Sequence, residues 1–240
     1  MTHRLTFIAT ILWMSLTAAS SLGLQQSIAQ VASDRSTAMR IGQLLEQGKI
    51  LYDSTADVDT LIRFYAAEQL GIPYVARLLD EPAAEQLVVT LKGSDCVLFV
   101  EMTTAMTLTT LSGSTRVEDA ESNVQMLRYR AGKIDGYFSR LHYFGDWLQD
   151  NEQKGLMKVL FQDRDDLPRL EPYHFMTTKR EAYRQLADND SLFQLMSNQE
   201  AILNQRLLRY IPTDIIPSIE DQLQTGDIVS FVTTVDGLDV

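Results

Sequence analysis

The sequence predicts an α+β fold, on three observations. Apolar residues recur at helical spacing through most of the stretch from Thr37 to Leu208. Short β-branched runs stand at Leu87–Leu91 and Ile228–Val235. Glycine-containing stops and turns, at Gly71, Gly226-Asp227 and Asp236-Gly237, fall between or after these runs. With 45 % apolar residues and a mean hydropathy of -0.10, the chain is ordinary for a globular domain. It carries no internal repeat, low-complexity stretch or linker, so one domain is expected.

Taken in order, residues 1–29 read as a secretory leader. His3 and Arg4 precede an apolar stretch from Leu5 to Leu16, and Ser27-Ile28-Ala29 suits a signal-peptidase site. An uncleaved anchor is the alternative, weakened by Thr6, Thr10, Ser15, Thr17 and Ser20. No membrane span is expected once the leader is removed. Thr37 to Leu51 is helical through Ile41, Leu44 and Leu45. Asp57 opens a second helix with Val58, Leu61, Ile62 and Tyr65 on one face, stopped by Gly71. Leu87–Leu91 is a strand, and a helix runs from Cys96 to about Leu111. Thr115 and Glu118 make a capping-box pattern for the next helix, with Val117, Ala120, Val124 and Leu127 apolar. Tyr137 to Gln149 is expected to be helical and Leu156 to Phe161 a strand. Arg180 to Leu208 reads as two helices split near Asp188-Asn189-Asp190. Ile228–Val235 is a strand, and Asp236-Gly237 favours a two-residue hairpin turn. Only three residues follow that turn, so the sheet is expected to be incomplete at the C-terminus.

Cys96 is the only cysteine. An unpaired thiol in an oxidising compartment is a liability unless it does chemistry. Ser94 or Asp95 can cap the helix that Cys96 begins, and the positive end of a helix favours a thiolate. The plainer reading is a small buried hydrophobe. A net charge of -11 and a pI near 4.7 argue against a nucleic-acid partner. No HExxH, paired cysteines, EF-hand loop, phosphate loop or GxSxG elbow occurs, so neither a metal nor a cofactor is expected. Acidic residues at Asp146, Asp150, Asp163 and Asp165 read as surface charge rather than a glycosidase pair.

Three segments, Gly71-Ile72-Pro73-Tyr74-Val75, Asp95-Cys96 with Phe99-Val100-Glu101, and Gly226-Asp227-Ile228-Val229-Ser230-Phe231, resemble the NlpC/P60 superfamily of papain-like cysteine peptidases and amidases in order and spacing. A central block resembles one branch of it, the DUF1460 family. That block comprises Arg128-Tyr129-Arg130, Gly136-Tyr137, Arg140 to Phe144 and Asp146-Trp147, followed later by Arg209-Tyr210-Ile211-Pro212. The resemblance spans nearly the whole chain after the leader. It implies an N-acetylmuramoyl-L-alanine amidase, acting on a muropeptide or peptidoglycan fragment in the periplasm. It also implies a cysteine-bearing helix packed on an antiparallel sheet, with additional helices.

By the same resemblance Cys96 is the nucleophile and Tyr74 lines the site. Asp95, Arg140 and His142 complete the candidate substrate-binding set. Arg128, Arg130 and Arg140 have the forked geometry that suits carboxylates, and their plainer reading is a solvated helix end. His142, among Leu141, Tyr143 and Phe144, also suits a packed core position, and His174 reads as a loop residue outside the site. The family's histidine is expected just after Gly237-Leu238-Asp239, in a Ser/Thr-His-Val-Gly type strand, and the sequence stops at Val240. Residues 30–240 are therefore expected to be a C-terminally truncated amidase domain. The alternative is a non-catalytic homologue that binds cell-wall fragments. The oligomeric state is left open.

Overall fold

A computed structural model describes residues 7–10, 31–82 and 84–239. In chain order its regular elements are β1 (Phe7–Thr10), β2 (Val31–Ala32), α1 (Arg35–Thr55), α2 (Val58–Ala67), β3 (Leu87–Val88), α3 (Cys96–Leu111), α4 (Val117–Arg128), α5 (Phe144–Gln153), β4 (Lys158–Val159), α6 (Phe175–Thr178), α7 (Arg184–Ala187), α8 (Asp190–Leu203) and β5 (Ile228–Ser230). They form two compact units, Ser15–Arg140 and Met1–Met14 with Leu141–Val240. The class is mixed and helix-rich, with short strands. Of the expected leader, only Phe7–Thr10 is among the described residues; His3, Arg4 and the cleavage segment lie outside them.

In the unit Ser15–Arg140, α1 starts where the Asp34 carboxylate accepts the amides of Ser36 and Thr37, at 2.9 and 3.1 Å. Its buried stripe, Ile41, Leu44 and Leu45, confirms the helical spacing. Asp57 caps α2 as expected, accepting the amide of Asp59. At Gly48 a β-carbon would stand 2.1 Å from the Tyr65 hydroxyl, so only glycine admits that ring. α3 lies at the centre of the unit, against α1, α2 and α4. Buried Leu98, Met102, Ala105 and Met106 share it with buried Thr103, Thr104, Thr107, Thr109 and Thr110. A hydroxyl-rich helix tolerates this burial because buried hydroxyls find partners, as those of Thr103, Thr107, Thr109 and Thr110 do. Thr103, Thr107 and Thr109 donate to the carbonyls of Phe99, Thr103 and Ala105, at 2.9, 2.8 and 2.7 Å. Tyr65, Gln69 and Asn123 then bond the hydroxyls of Thr110, Thr103 and Thr109.

One buried ion pair ties α3 to α4. Arg128 and Glu101 have side chains 2 % and 1 % exposed, with Nε and Nη2 of the arginine 2.8 and 2.7 Å from the same carboxylate oxygen. The remaining nitrogen, Nη1, donates to the carbonyl of Val88 in β3 at 2.5 Å. Arg128 is thus an internal clamp and not the solvated helix end that its sequence position suggests. The capping box also gives way. Arg116, not Thr115, is the α4 N-cap and makes no side-chain cap bond, while the Ser114 hydroxyl accepts the Arg116 amide and bonds the Asp119 carboxylate.

In the other unit, β1 pairs antiparallel with both β4 and β5, giving the order β4-β1-β5. β4 and β5 are shorter than the runs 156–161 and 228–235 predict, as is β3, which among the described residues pairs with β2 alone and in parallel. The helical expectation over Tyr137–Gln149 resolves into a 3-10 turn at Tyr137–Ser139 and the later α5. Asn189 caps α8, at the predicted split. Asp236-Gly237 does turn the chain, with the Leu238 amide donating to Val235 and the Thr233 amide to Asp239. Gly237 has φ of +76° and Asp236 does not join it in the left-handed region, so the mirror-image turn favoured for two-residue hairpins is not formed.

Asp239 is 3 % exposed, and its carboxylate accepts the Gly145 amide in the first turn of α5 at 2.6 Å. Burial, with a smaller push from nearby Asp146, raises its pKa from 3.8 to about 6 despite that bond.

Two measurements follow from this packing. Glu101→Ala leaves a buried guanidinium uncompensated and is expected to lower unfolding free energy by about 3–5 kcal/mol in urea titration. Glu101→Leu combined with Arg128→Met is expected to recover most of that loss. For Asp239, the folded state holds its proton more tightly than the unfolded chain. Stability from this group is therefore full below about pH 4 and declines as pH rises through about 6. Asp239→Asn is expected to flatten that part of the stability profile, read by thermal melting between pH 4 and 7.

Candidate active site at the start of the cysteine helix

Cys96 is the first helical residue of α3, and its side chain is exposed. Asp95 is the N-cap, in extended conformation, and its Oδ1 accepts the amides of Val97 and Leu98 at 3.0 and 2.9 Å. Of the two residues that sequence offers as caps, the structure uses the aspartate. Ser94 instead forms a parallel bridge with Tyr74. Two backbone bonds close it, Val75 amide to Ser94 carbonyl at 2.9 Å and Ser94 amide to Pro73 carbonyl at 3.0 Å. Gly93 permits the approach, since a β-carbon there would come within 2.9 Å of the Val75 side chain and 3.2 Å of Leu78.

The loop that carries Tyr74 is held from its far end by Arg140. This residue is 5 % exposed, and its Nη1 donates to the Leu79 carbonyl at 2.8 Å while Nη2 pairs with Asp80. Its Nε lies 3.8 Å from Glu85, whose Oε1 also accepts the Tyr129 hydroxyl at 2.7 Å, and the guanidinium sits 4.9 Å from the Tyr137 ring centre. Burial pushes the Glu85 carboxyl up, with Arg140 opposing the shift. The structure therefore places Arg140 in an internal cluster that braces the segment after Tyr74.

Tyr74, Asp95 and Cys96 are brought together by the bridge and the cap. His142 is half-buried ahead of α5, in the other compact unit. In that unit His174 precedes α6, its Nε2 3.2 Å from Asp236 and its Nδ1 3.2 Å from the Thr178 hydroxyl. Phe99 opens the segment Phe99-Val100-Glu101 that follows Cys96. It is 38 % exposed, one helical turn beyond Cys96. The spacing of three from Cys96 was the available signal.

The thiol is not activated by this setting alone. Crowding on its protein side and then the Asp95 carboxylate raise the Cys96 pKa, outweighing the Val97 and Cys96 amides that favour the thiolate. The helix start lowers it less than sequence position suggests, because the residue that caps the helix is itself an anion beside the sulfur.

Comparison with known proteins gives the class. The chain is similar to crystal structures of an N-acetylmuramoyl-L-alanine amidase from Bacteroides uniformis. One is 31 % identical with a TM-score of 0.70, over 76 % of this chain and 77 % of that one. Another is 32 % identical with a TM-score of 0.68, over 75 % and 77 %. A Bacteroides fragilis protein described as a candidate xylanase is 28 % identical with a TM-score of 0.61, over 73 % and 77 %. No curated protein sequence matches. The fold and these likenesses define a cell-wall amidase type of protein. More particularly, the chain belongs to the N-acetylmuramoyl-L-alanine amidase-like family, which it matches over residues 65–240.

The electrostatics at Cys96 are testable by alkylation. Asp95→Asn keeps a capping oxygen and removes the charge. The pH midpoint for iodoacetamide reaction is expected to lie above the ordinary thiol value in the parent and to move down in the variant. Asp95→Ala is expected to cost about 1 kcal/mol of stability through the lost cap.

Proposed function

We propose that the protein is an exported cysteine amidase that cuts the amide between the lactyl group of N-acetylmuramic acid and the L-alanine of muropeptides or peptidoglycan. The observation that carries this reading is the exposed thiol at the first helical residue of α3, in a chain of this family. The reading includes membership of the papain-like NlpC/P60 class and a periplasmic location.

In this reaction the Cys96 sulfur attacks the lactyl carbonyl carbon, and the carbonyl oxygen takes up negative charge at the amide-rich start of α3. Collapse of that adduct breaks the carbon–nitrogen bond once the nitrogen is protonated, releasing the peptide with a free L-alanine amine. The lactyl group stays on sulfur as a thioester, which water hydrolyses to the carboxylic acid and the free thiol. Because the thiol is held above its ordinary pKa, a base must remove its proton. In a papain-like amidase an imidazole fills this role. Asp95 orients the helix start, and Arg140 positions the Tyr74 loop.

The same raised thiol favours one other reading, a non-catalytic relative that binds cell-wall fragments. Muropeptide cleavage by the protein as its source cell exports it separates the two. Cleavage is expected, with a loss of about a thousandfold or more in Cys96→Ala. Retained cleavage in that variant removes Cys96 as nucleophile, and inactivity of the parent leaves the binding role.

A further inference from the structure

We propose that the surface cavity between the segment around Leu170 and the turn that follows β5 binds a primary ammonium group carried on an unbranched alkyl chain. The cavity lies wholly in the unit that contains Leu141–Val240, so the inference stands without the thiol and goes beyond the amidase reading.

The cavity has a volume of about 280 Å³. Ligand pockets begin near about 300 Å³, so this one suits a single long side chain or a molecule of that size. Its floor is apolar and withdrawn from water, with Leu170, Tyr210 and Val232 all buried. Two backbone bonds hold that floor, from the Leu170 amide to the Leu208 carbonyl at 2.8 Å and from the Tyr210 amide to the Pro168 carbonyl at 3.0 Å. The other wall is the turn from Thr233 to Leu238, and it is tied down at several points. The Gly237 carbonyl accepts the amides of His174 and Phe175 at 3.1 and 3.0 Å, and the Thr233 amide donates to the Asp239 carbonyl at 3.1 Å. The Asp239 carboxylate in turn accepts the Gly145 amide at 2.6 Å. A wall this constrained loses little conformational entropy when a ligand fills the space against it.

Charge decides what that space accepts. Glu171 and Asp236 are the charged residues of the lining, and no lysine, arginine or histidine joins them there. They come from different segments, one beside Leu170 and one in the turn. His174 steadies Asp236, its Nε2 3.2 Å from Oδ1, whereas Glu171 is engaged in no ion pair among the described residues. An anion entering the cavity would meet two like charges, and a neutral chain would gain nothing from them. An alkylammonium uses both parts of the lining. Its methylene chain covers Leu170, Val232 and Leu238, while its charged end stays at the solvated rim beside the carboxylates, as the heads of long cationic side chains do. Because both carboxylates are exposed, each contributes modestly and its contribution is screened by salt. The apolar stem supplies the rest, at roughly fourfold in affinity per methylene withdrawn from water.

The test is an NMR titration of backbone amide shifts in the whole protein at low salt. The probes are cadaverine, Nα-acetyl-lysinamide and Nα,Nε-diacetyl-lysinamide, the last carrying a neutral amide in place of the ammonium. The first two are expected to shift the amides from Val232 to Leu238 saturably, with a Kd of about 1 mM, and the diacetyl compound to bind at least about tenfold more weakly. Glu171→Gln and Asp236→Asn are each expected to weaken the ammonium probes about threefold, and the double variant about tenfold. Unchanged amide positions elsewhere show that these variants are folded. Tighter binding of the lysinamide identifies a peptide-borne side chain as the source of the ammonium, and tighter binding of cadaverine a free amine. The proposal is overturned if the diacetyl compound shifts the same amides with equal affinity, if the double variant binds the ammonium probes as tightly as the parent, or if those probes give no saturable shift in this segment. Muropeptide cleavage is a separate readout, so loss of the amidase reading leaves this inference standing and the reverse also holds.

Discussion

The Glu101–Arg128 pair fixes the part of the molecule on which the candidate chemistry depends. One guanidinium holds a carboxylate of α3 through Nε and Nη2 and the Val88 carbonyl of β3 through Nη1. The segment between those two anchors contains Gly93, Ser94, Asp95 and Cys96. Both ends of the loop that delivers the thiol are thus pinned by a single buried side chain. Such a pair pays a large desolvation penalty, and its retention is easier to understand as a device for geometry than as a source of stability. Arg140 repeats the arrangement one loop away, gripping the carbonyl of Leu79 and the carboxylate of Asp80 beyond Tyr74. Two arginines that resemble surface cations in sequence act as internal braces for the two loops that meet at Ser94.

This bracing presents the thiol without activating it. A helix start offers amide groups and a favourable dipole to an anion, but the offer is shared. Asp95 accepts the Val97 and Leu98 amides, and its negative charge then sits beside the sulfur. Exposure and reactivity are consequently separate properties of Cys96. Exposure comes from α3 and its cap, while the charge of that same cap helps to hold the proton on the sulfur. That division is consistent with a cysteine–imidazole mechanism, in which the base is supplied by another element and the thiol stays neutral until it is engaged.

Much of this was legible in sequence wherever the cause is local. The Asp57 and Asp95 caps, the break at Asn189 and the turn at Asp236-Gly237 each depend on residues within three or four positions, and each occurs where the residue types place it. What escaped depends on distant partners. Arg128 finds Glu101 across 27 residues and Arg140 finds Asp80 across 60, and no periodicity announces either. Strand lengths failed for a related reason. β-branched residues favour a strand, but pairing sets its length, and among the described residues β2 pairs with Leu87 and Val88 of that run. The capping box at Thr115 failed to a local competitor, since Ser114 and Asp119 satisfy the turn first.

The same accounting of partners bears on the reaction class. Hydrolysis of a glycosidic bond requires two carboxyl groups facing a common space, and the sequence offers acidic residues in number. The structure ties several of them down: Asp146 is 4 % exposed and faces Gln199, Asp150 pairs with Lys154, and Asp165 pairs with Arg209. Glu85 and Glu101 serve the two arginine braces. These carboxylates therefore take part in internal contacts, whereas the one thiol is exposed at the start of α3. A glycosidase chemistry at any of these carboxylates would first have to take apart contacts that hold the frame together.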